Sequence, residues 1–390
     1  MAEDIVGQSI TRLEDSRFLT GTAKFTADFY KEGQLHGAIL RSPFAHAAIK
    51  KIDFEAAMKA AGVIGVYTHD DLAVDGIGPM PCAAVSAVQT LEPIVVPPRP
   101  ALANGRVRHV GDPVAFVVAE SPAAALDALD LIDVDYEEHT ALIIVSDALA
   151  DGAPQLWEEA PGNLCFRFEK GDEAGTEAAI ADAPHVVEME IQNNRVSPAP
   201  TEPRAAIGTY DESSDCLHLL VTGQGVHGIR NQLANSIFKI ALDKLHVSAP
   251  DVGGGFGLKN FVYPEWVLLL WAARKLRRPI KWVAERNEEF MSSIQGRDVQ
   301  ATARLALDGD GRFLALSADL TANMGAYLSA FGPGIATNSA STAISGIYDI
   351  PKIFMGVTGA FTNTVPIDAY RGAGKPEANY IVERLIEAAA

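Results

Sequence analysis

The chain is 390 residues long, 48% hydrophobic and 21% charged, the proportions of a folded globular protein with room for two or three domains. Fifty acidic against 32 basic side chains leave a formal net charge of -18, which repels phosphate backbones and argues against nucleic acid as a partner. Cys82, Cys165 and Cys216 stand apart with no CxxC spacing, which argues against an iron–sulfur or zinc site on this chain and suits a reducing compartment.

The acidic lead MAEDIVGQSITRLEDSR has no apolar core and does not read as a signal peptide, so a cytoplasmic location is expected. Residues 35–54 alternate loosely and predict two strands broken at Ser42-Pro43. A short helix from Asp53, a turn at Gly62 and a strand over Val63–Thr68 follow, and residues 72–108, rich in Pro, Gly and Val, read as extended. Val114–Ala119 predicts a buried strand. Ser121 then caps a helix with Pro122 at its first position, running to about Ile132, and Asp133–Tyr136 return to strand. The polar stretch 146–166, punctuated by Gly and Pro, is expected to join a domain of residues 1–145 to one of residues 146–390. Within the second, 185–196 and 215–224 predict strands, and 228–243 carries a helical period through Ile229, Leu233 and Ile237. The most apolar run, WVLLLWAA (266–273), is too short to cross a bilayer and predicts a core helix, with Lys275, Arg277 and Arg278 in its last turn. Paired strands are expected around the turn Asp308–Gly311. The last residues, 380–390, read as an amphipathic helix with no stop signal, so the unit is expected either to fray or to continue in another polypeptide.

The chemistry is expected at DVGGGFGLKN, residues 251–260, because a glycine run lowers stability unless the backbone needs it. A dinucleotide fingerprint would need a glycine at Leu258 or Asn260, and Lys259 stands in the wrong frame for a P-loop. HExxH and GxSxG are absent as well. Two readings stay open: a ligand-free turn, or a strand-to-helix entrance whose outward N–H groups face an anionic or oxo group. Arg371-Gly372-Ala373-Gly374 also precede a helix, with Pro376 at its first position and Glu377 in its first turn. Gln224 sits between two glycines at a strand end. Together these predict three loop ends converging on one anionic centre.

Those stretches carry a resemblance. VGQSITRLEDSRFLTGTAKFTADF, LHGAILRSPFAHAAIKKID, VGDPVAFVVAESPAAALDALDLIDVDYEE, TGQGVHGIRNQL, APDVGGGFGLKN and AYRGAGKPEANYIVERLI resemble, in order, the molybdenum-binding subunit of the xanthine dehydrogenase, aldehyde oxidase and carbon monoxide dehydrogenase family. The resemblance implies an α+β fold with an N-terminal α/β-hammerhead domain and then the first molybdopterin-binding domain. It implies a molybdenum–molybdopterin cofactor in a dinucleotide form, with the pterin rather than the protein ligating the metal. Gln224, Phe256 and Arg371 then surround molybdenum through its oxo and hydroxo ligands. Gly254, Gly255, Gly257 and Gly372 let the backbone pass close to the cofactor. The family reaction hydroxylates an electrophilic carbon with oxygen from water, and electrons leave through an iron–sulfur subunit and an FAD subunit. No iron–sulfur cluster or flavin is expected on this chain.

The family's catalytic glutamate has no counterpart before Ala390, so no catalytic base is assigned, and a separate chain carrying the second molybdopterin domain is expected as a partner. The alternative is a non-catalytic, truncated module that only docks partners. Glu377 and Glu383 read as surface or packing residues. Carbon monoxide dehydrogenases of the family carry a cysteine where Gly372 stands, and purine hydroxylases carry a phenylalanine at Ala373 and a glutamate at Asn260. An aldehyde or another N-heteroaromatic compound is therefore the expected substrate, with Asn260 and Ala373 facing it. His46, His109 and His227 lack metal-ligand spacing, His227 being a further candidate to line the site, and Trp266 and Trp271 read as core.

Overall fold

The computed structural model describes residues 6–390. Its strands in chain order are β1 (Leu35–Arg41), β2 (Ala47–Asp53), β3 (Val63–Tyr67), β4 (Arg106–Val107), β5 (Pro113–Ala119), β6 (Asp133–Glu138), β7 (Leu164–Gly171), β8 (His185–Asn193), β9 (Ala205–Asp211), β10 (Cys216–Val221), β11 (Leu245–Ser248), β12 (Ile280–Val283), β13 (Val299–Leu307), β14 (Phe313–Gly325) and β15 (Lys352–Phe361). One sheet has the order β11-β10-β9-β12-β1-β5-β3, a second β7-β15-β14-β13-β8, and a third β4-β2-β6.

Most elements follow the sequence pattern. Ser121 Oγ accepts a hydrogen bond from Ala124 N at 3.1 Å, and Pro122 opens a helix that ends at Leu129, slightly short of the expected boundary. β5 is apolar throughout because both its faces are covered. Phe116 and Val118 join the core around the helix Pro264–Leu276, while Ala115 and Val117 face Ala57 and Ala128. From Pro264 to Ala273 every residue of the central helix is buried. Trp266 and Trp271 are thus core, each worth about 1.5–3 kcal/mol or more by area.

Three local expectations are corrected. The helix expected over 228–243 is a helix at Val226–Gln232 that widens to a π turn over Leu233–Phe238 and stops where Lys239 turns left-handed, with φ 53°. The glycine run does not open the central helix: a single 3-10 turn at Leu258–Asn260 intervenes, and the helix starts after Tyr263. Pro376 is the second residue of the helix Lys375–Ala389, because Gly374 is its cap.

The seven-stranded sheet joins strands from residues 35–119 to strands from residues 205–283. β1 pairs in parallel with β12, Leu35 opposite Ile280, and antiparallel with β5. A buried ion network crosses the same seam. Arg41 reaches Glu265 at 2.7 Å and Glu288 at 2.6 Å. Arg204, fully buried, reaches Glu265 at 3.1 Å and Glu289 at 3.0 Å, with its guanidinium 4.0 Å from the Tyr263 ring centre. Burial alone would raise the Glu265 carboxyl, but Arg204 and Arg41 hold it below its usual range. Among the described residues no helix is long and apolar enough to cross a membrane.

Candidate functional site

The three loop ends singled out in the sequence meet. Gln224 follows β10. Its backbone N donates to Lys259 O at 2.9 Å, and its side-chain Oε1 accepts from Gly257 N at 2.9 Å and Lys259 N at 3.3 Å. Gln224 therefore lies across the glycine loop, and a Cβ on Gly255 would stand 2.3 Å from its Cδ. From the other side, Arg371 N donates to Phe256 O at 2.9 Å. Gly257 is pressed against the same segment: with φ 95°, its Cβ would stand 2.3 Å from Ala369 O. Only glycine satisfies both the left-handed φ and that approach.

The groups left over are donors. Gly254, Gly255 and Phe256 donate no backbone hydrogen bond among the described residues. Alternating φ signs, with Gly254 at 93° and Phe256 at 52°, give the chain the concave turn in which successive N–H groups can face one anion. The Arg371 guanidinium makes no hydrogen bond or ion pair among the described residues and is exposed. Gln224 is exposed, and its Nε2 is unpaired once Oε1 is committed to the loop. Phe256 is 41% exposed beside them, an apolar ring bordering a polar mouth.

Beneath the loop lies a support that the sequence pattern does not signal. Glu202 Oε2 accepts from Gly253 N at 2.7 Å and from Lys259 Nζ at 3.0 Å, and Lys259 Nζ also donates to Glu202 O at 2.7 Å. Lys259 is thus not a phosphate-facing cation but a buried strut. Desolvation lowers its affinity for a proton, and Glu202 opposes that. Asn260 N donates to Gly257 O at 3.2 Å, and its Oδ1 lies against Gly225, where a Cβ would stand 2.4 Å away. Gly372 is exposed with φ 97°. Ala373 has φ 44°, donates to Tyr370 O at 2.8 Å and accepts from Ser339 Oγ. Glu377 is buried and paired with Arg297, a packing residue, whereas Glu383 is exposed and accepts from the Tyr348 hydroxyl on the surface.

Two of the three histidines singled out in the sequence are engaged by main-chain carbonyls. His46 Nδ1 and His109 Nδ1 engage the carbonyls of Thr140 and Val110, at 2.9 and 2.8 Å, and His227 sits exposed on the first turn after Gln224. Among the described residues no group of three or more His, Cys, Asp or Glu side chains is placed to hold a metal ion.

Comparison with known proteins identifies the family. Residues 156–390 match the model of the molybdopterin cofactor-binding domain, and residues 20–140 match the aldehyde oxidase and xanthine dehydrogenase a/b hammerhead domain. The chain belongs to the family of molybdopterin-binding large subunits of xanthine dehydrogenase and carbon monoxide dehydrogenase. It is 34% identical to the nicotine 6-hydroxylase large subunit of Paenarthrobacter nicotinovorans, over 99% of this chain and 47% of that one. It superposes on quinoline 2-oxidoreductase from Pseudomonas putida 86 with a TM-score of 0.89 and 35% identity, covering 98% of this chain and 48% of the other. The chain thus spans about half the length of these relatives. Against the nicotinate dehydrogenase large molybdopterin subunit of Eubacterium barkeri it is 27% identical and covers 86% of that protein. The α+β fold with a hammerhead and a molybdopterin-binding domain is that of the family. The residues fit the cofactor on the chain's own geometry: unpaired N–H groups at 254–256, an unpaired guanidinium at 371, and a glycine at 255 where a methyl group would strike Gln224.

Proposed function

We propose that this chain forms one wall of the molybdenum site of a hydroxylase that inserts water-derived oxygen into an electrophilic carbon of a small substrate. The observation that carries the reading is the convergence of Gln224, Phe256 and Arg371 through the bonds Gln224 Oε1 to Gly257 N and Arg371 N to Phe256 O. The cofactor, when bound, supplies the two-electron redox chemistry for which this chain has no group of its own. Gln224 Nε2 and the N–H groups of Gly254, Gly255 and Phe256 donate toward its oxygen ligands, and donors fixed in advance stabilise charge as it develops. Arg371 contributes a positive charge at the same mouth. Gly257 and Gly372 let the two loops close on the cofactor without side-chain interference. Asn260 and Ala373 are proposed to face the substrate. The base that deprotonates the attacking oxygen is proposed to be a glutamate from outside these 390 residues.

The names of two relatives, nicotine 6-hydroxylase and quinoline 2-oxidoreductase, support an N-heteroaromatic substrate. Gly372, where a cysteine would suit carbon monoxide chemistry, favours the same choice. Electrons are proposed to leave through iron–sulfur and FAD subunits, in the cytoplasm, with the cofactor in a dinucleotide form. The match to most of the Eubacterium barkeri subunit supports a large subunit divided between chains, and a division of this chain into domains at residue 145 is proposed with it.

The test has two arms. Molybdenum is measured in the chain purified alone and after co-expression with the adjoining reading frame; little metal alone and stoichiometric metal together is expected. In the loaded complex, Gln224→Ala and Arg371→Ala should each lower kcat/KM by about 10²–10³, the effect of removing a preorganised donor. Unchanged turnover in both variants refutes the site. A complex that never binds molybdenum favours the non-catalytic docking module.

A further inference from the structure

The loop that carries Arg371 is held from behind by one guanidinium. Arg297 Nη1 donates to Tyr370 O at 3.0 Å and Nη2 to Arg371 O at 3.0 Å, while Nη1 also reaches Glu377 Oε1 at 3.2 Å. Its charge lies 4.9 Å from the Tyr370 ring centre. The planar fork of arginine serves two adjacent carbonyls and a carboxylate from two nitrogens held in one plane, a spread that a lysine's single nitrogen does not match. The arrangement is also costly. Arg297 and Asp298 are consecutive non-glycine residues with φ of 65° and 62°, a conformation that persists only where surroundings impose it. Asp298 is fixed in turn by Arg195 Nε at 2.8 Å and Asn323 Nδ2 at 2.9 Å. On the far side, Glu377 is 4% exposed and its Oε2 has no hydrogen-bond partner among the described residues, so the carboxylate depends on Arg297 for its countercharge.

We propose that Arg297 is a positioning residue: it clamps the Tyr370 and Arg371 carbonyls so that the main chain at Arg371 is fixed and its unpaired guanidinium is presented at the mouth formed with Phe256. Strain at 297–298 is maintained because it aims the fork at carbonyls that β13, which begins two residues later, would not otherwise meet. The clamp also explains how a turn with φ of 97° at Gly372, 44° at Ala373 and 85° at Gly374 keeps one shape while Arg371 stays exposed. Only the turnover part of the test below rests on the hydroxylase reading.

Two variants of the full chain, in whatever assembly it is purified from, separate clamp from scaffold. Arg297→Lys keeps a cation beside Glu377 but loses the fork. The double variant Arg297→Gln/Glu377→Gln removes both charges, so no buried carboxylate is stranded. Trypsin cleaves after Arg371 only when that exposed turn opens, and each variant should raise the initial rate of this cleavage about tenfold, read by peptide mass, because cleavage follows the open population. Rates at Arg304 and Arg312, on the strands and turn beyond the clamp, should stay within about twofold of the parent by the same reasoning. In the loaded enzyme, kcat should fall about tenfold or more with KM within about twofold, since misplacement of a charge by about an ångström acts on the reacting geometry. Cleavage after Arg371 at the parental rate in both variants overturns the clamp. Acceleration equal at all sites, with a matching loss of melting temperature, overturns it too, because Arg297 is then only a scaffold residue. If the parent enzyme turns over no substrate, the hydroxylase reading falls and the cleavage rates still decide the clamp.

Discussion

Gly255→Ala gives the sharpest test of how the site is built. The backbone at 255 is not left-handed, so alanine introduces no φ strain there. Its Cβ would lie 2.3 Å from Gln224 Cδ and 2.4 Å from Oε1, and those atoms are the free end of a flexible side chain. Gln224 should swing away, losing its bonds from Gly257 N and Lys259 N. Each is worth about 1 kcal/mol net, and Gly→Ala returns about 0.4–1 kcal/mol through the unfolded chain, leaving a loss near 1 kcal/mol. Such a loss moves the melting temperature by about 2–4 °C, while removal of a preorganised donor lowers turnover about 10²–10³-fold. Gly257→Ala is the contrast. Its Cβ would lie 2.3 Å from the carbonyl oxygen of Ala369, which cannot rotate aside, at a φ of 95° that itself costs about 1–2 kcal/mol for an L-residue. Thermal melting, molybdenum content and turnover of both variants are the assay. Gly255→Ala with parental turnover at full metal loading refutes the placement of Gln224. Equal melting losses in the two variants refute the distinction between a yielding side chain and an unyielding backbone.

Two further outcomes follow from buried charge. Asp368 is fully buried and accepts from Phe331 N at 2.9 Å and Ala369 N at 2.6 Å, yet burial pushes its carboxyl up to about 6. The fold therefore prefers the neutral acid: its contribution is complete below the unfolded value near 3.8 and is lost as pH rises to 6, a change of about 3 kcal/mol. Relative to Asp368→Asn, the parent should lose unfolding free energy between pH 4 and 6 and hold level above, and a difference flat across that window contradicts the assignment. Arg204→Met strands Glu289 and leaves Glu265 with Arg41 alone, which should cost about 3–5 kcal/mol in chemical denaturation. A loss under about 1 kcal/mol would mean the seam is not held by this network.

Elements whose signals are local were legible in the sequence. β5 shows as an unbroken apolar run because Ala115–Val118 face two packed layers at once, and the cap at Ser121 needs only its own next turn. The glycine loop was legible for the same reason, since a run that costs stability is kept only where backbone must approach something. Boundaries set by backbone hand were not. Lys239 ends its helix left-handed although nothing in its side chain demands it, and the apolar period runs on past it. The parallel pairing of β1 with β12 is equally hidden: the strands are far apart in the chain, and each alone reads only as half-buried.

At the site the same divide falls between groups proposed to face the cofactor and groups that hold them. Gln224, Phe256 and Arg371 stand in small-residue loops whose composition is itself the signal. Glu202, Lys259 and Arg297 act on main-chain N–H and C=O groups, which every residue owns, so their targets leave no trace in side-chain identity. Arg297 precedes an ordinary alternating strand, and Glu377 looks like any acid in a first helical turn. What marks them is burial, and at Arg297 the sign of φ as well, and both appear only once the chain has folded. A search for supporting residues in related chains should therefore begin from carbonyls that these small-residue loops leave unpaired, and ask which distant guanidinium or ammonium reaches them.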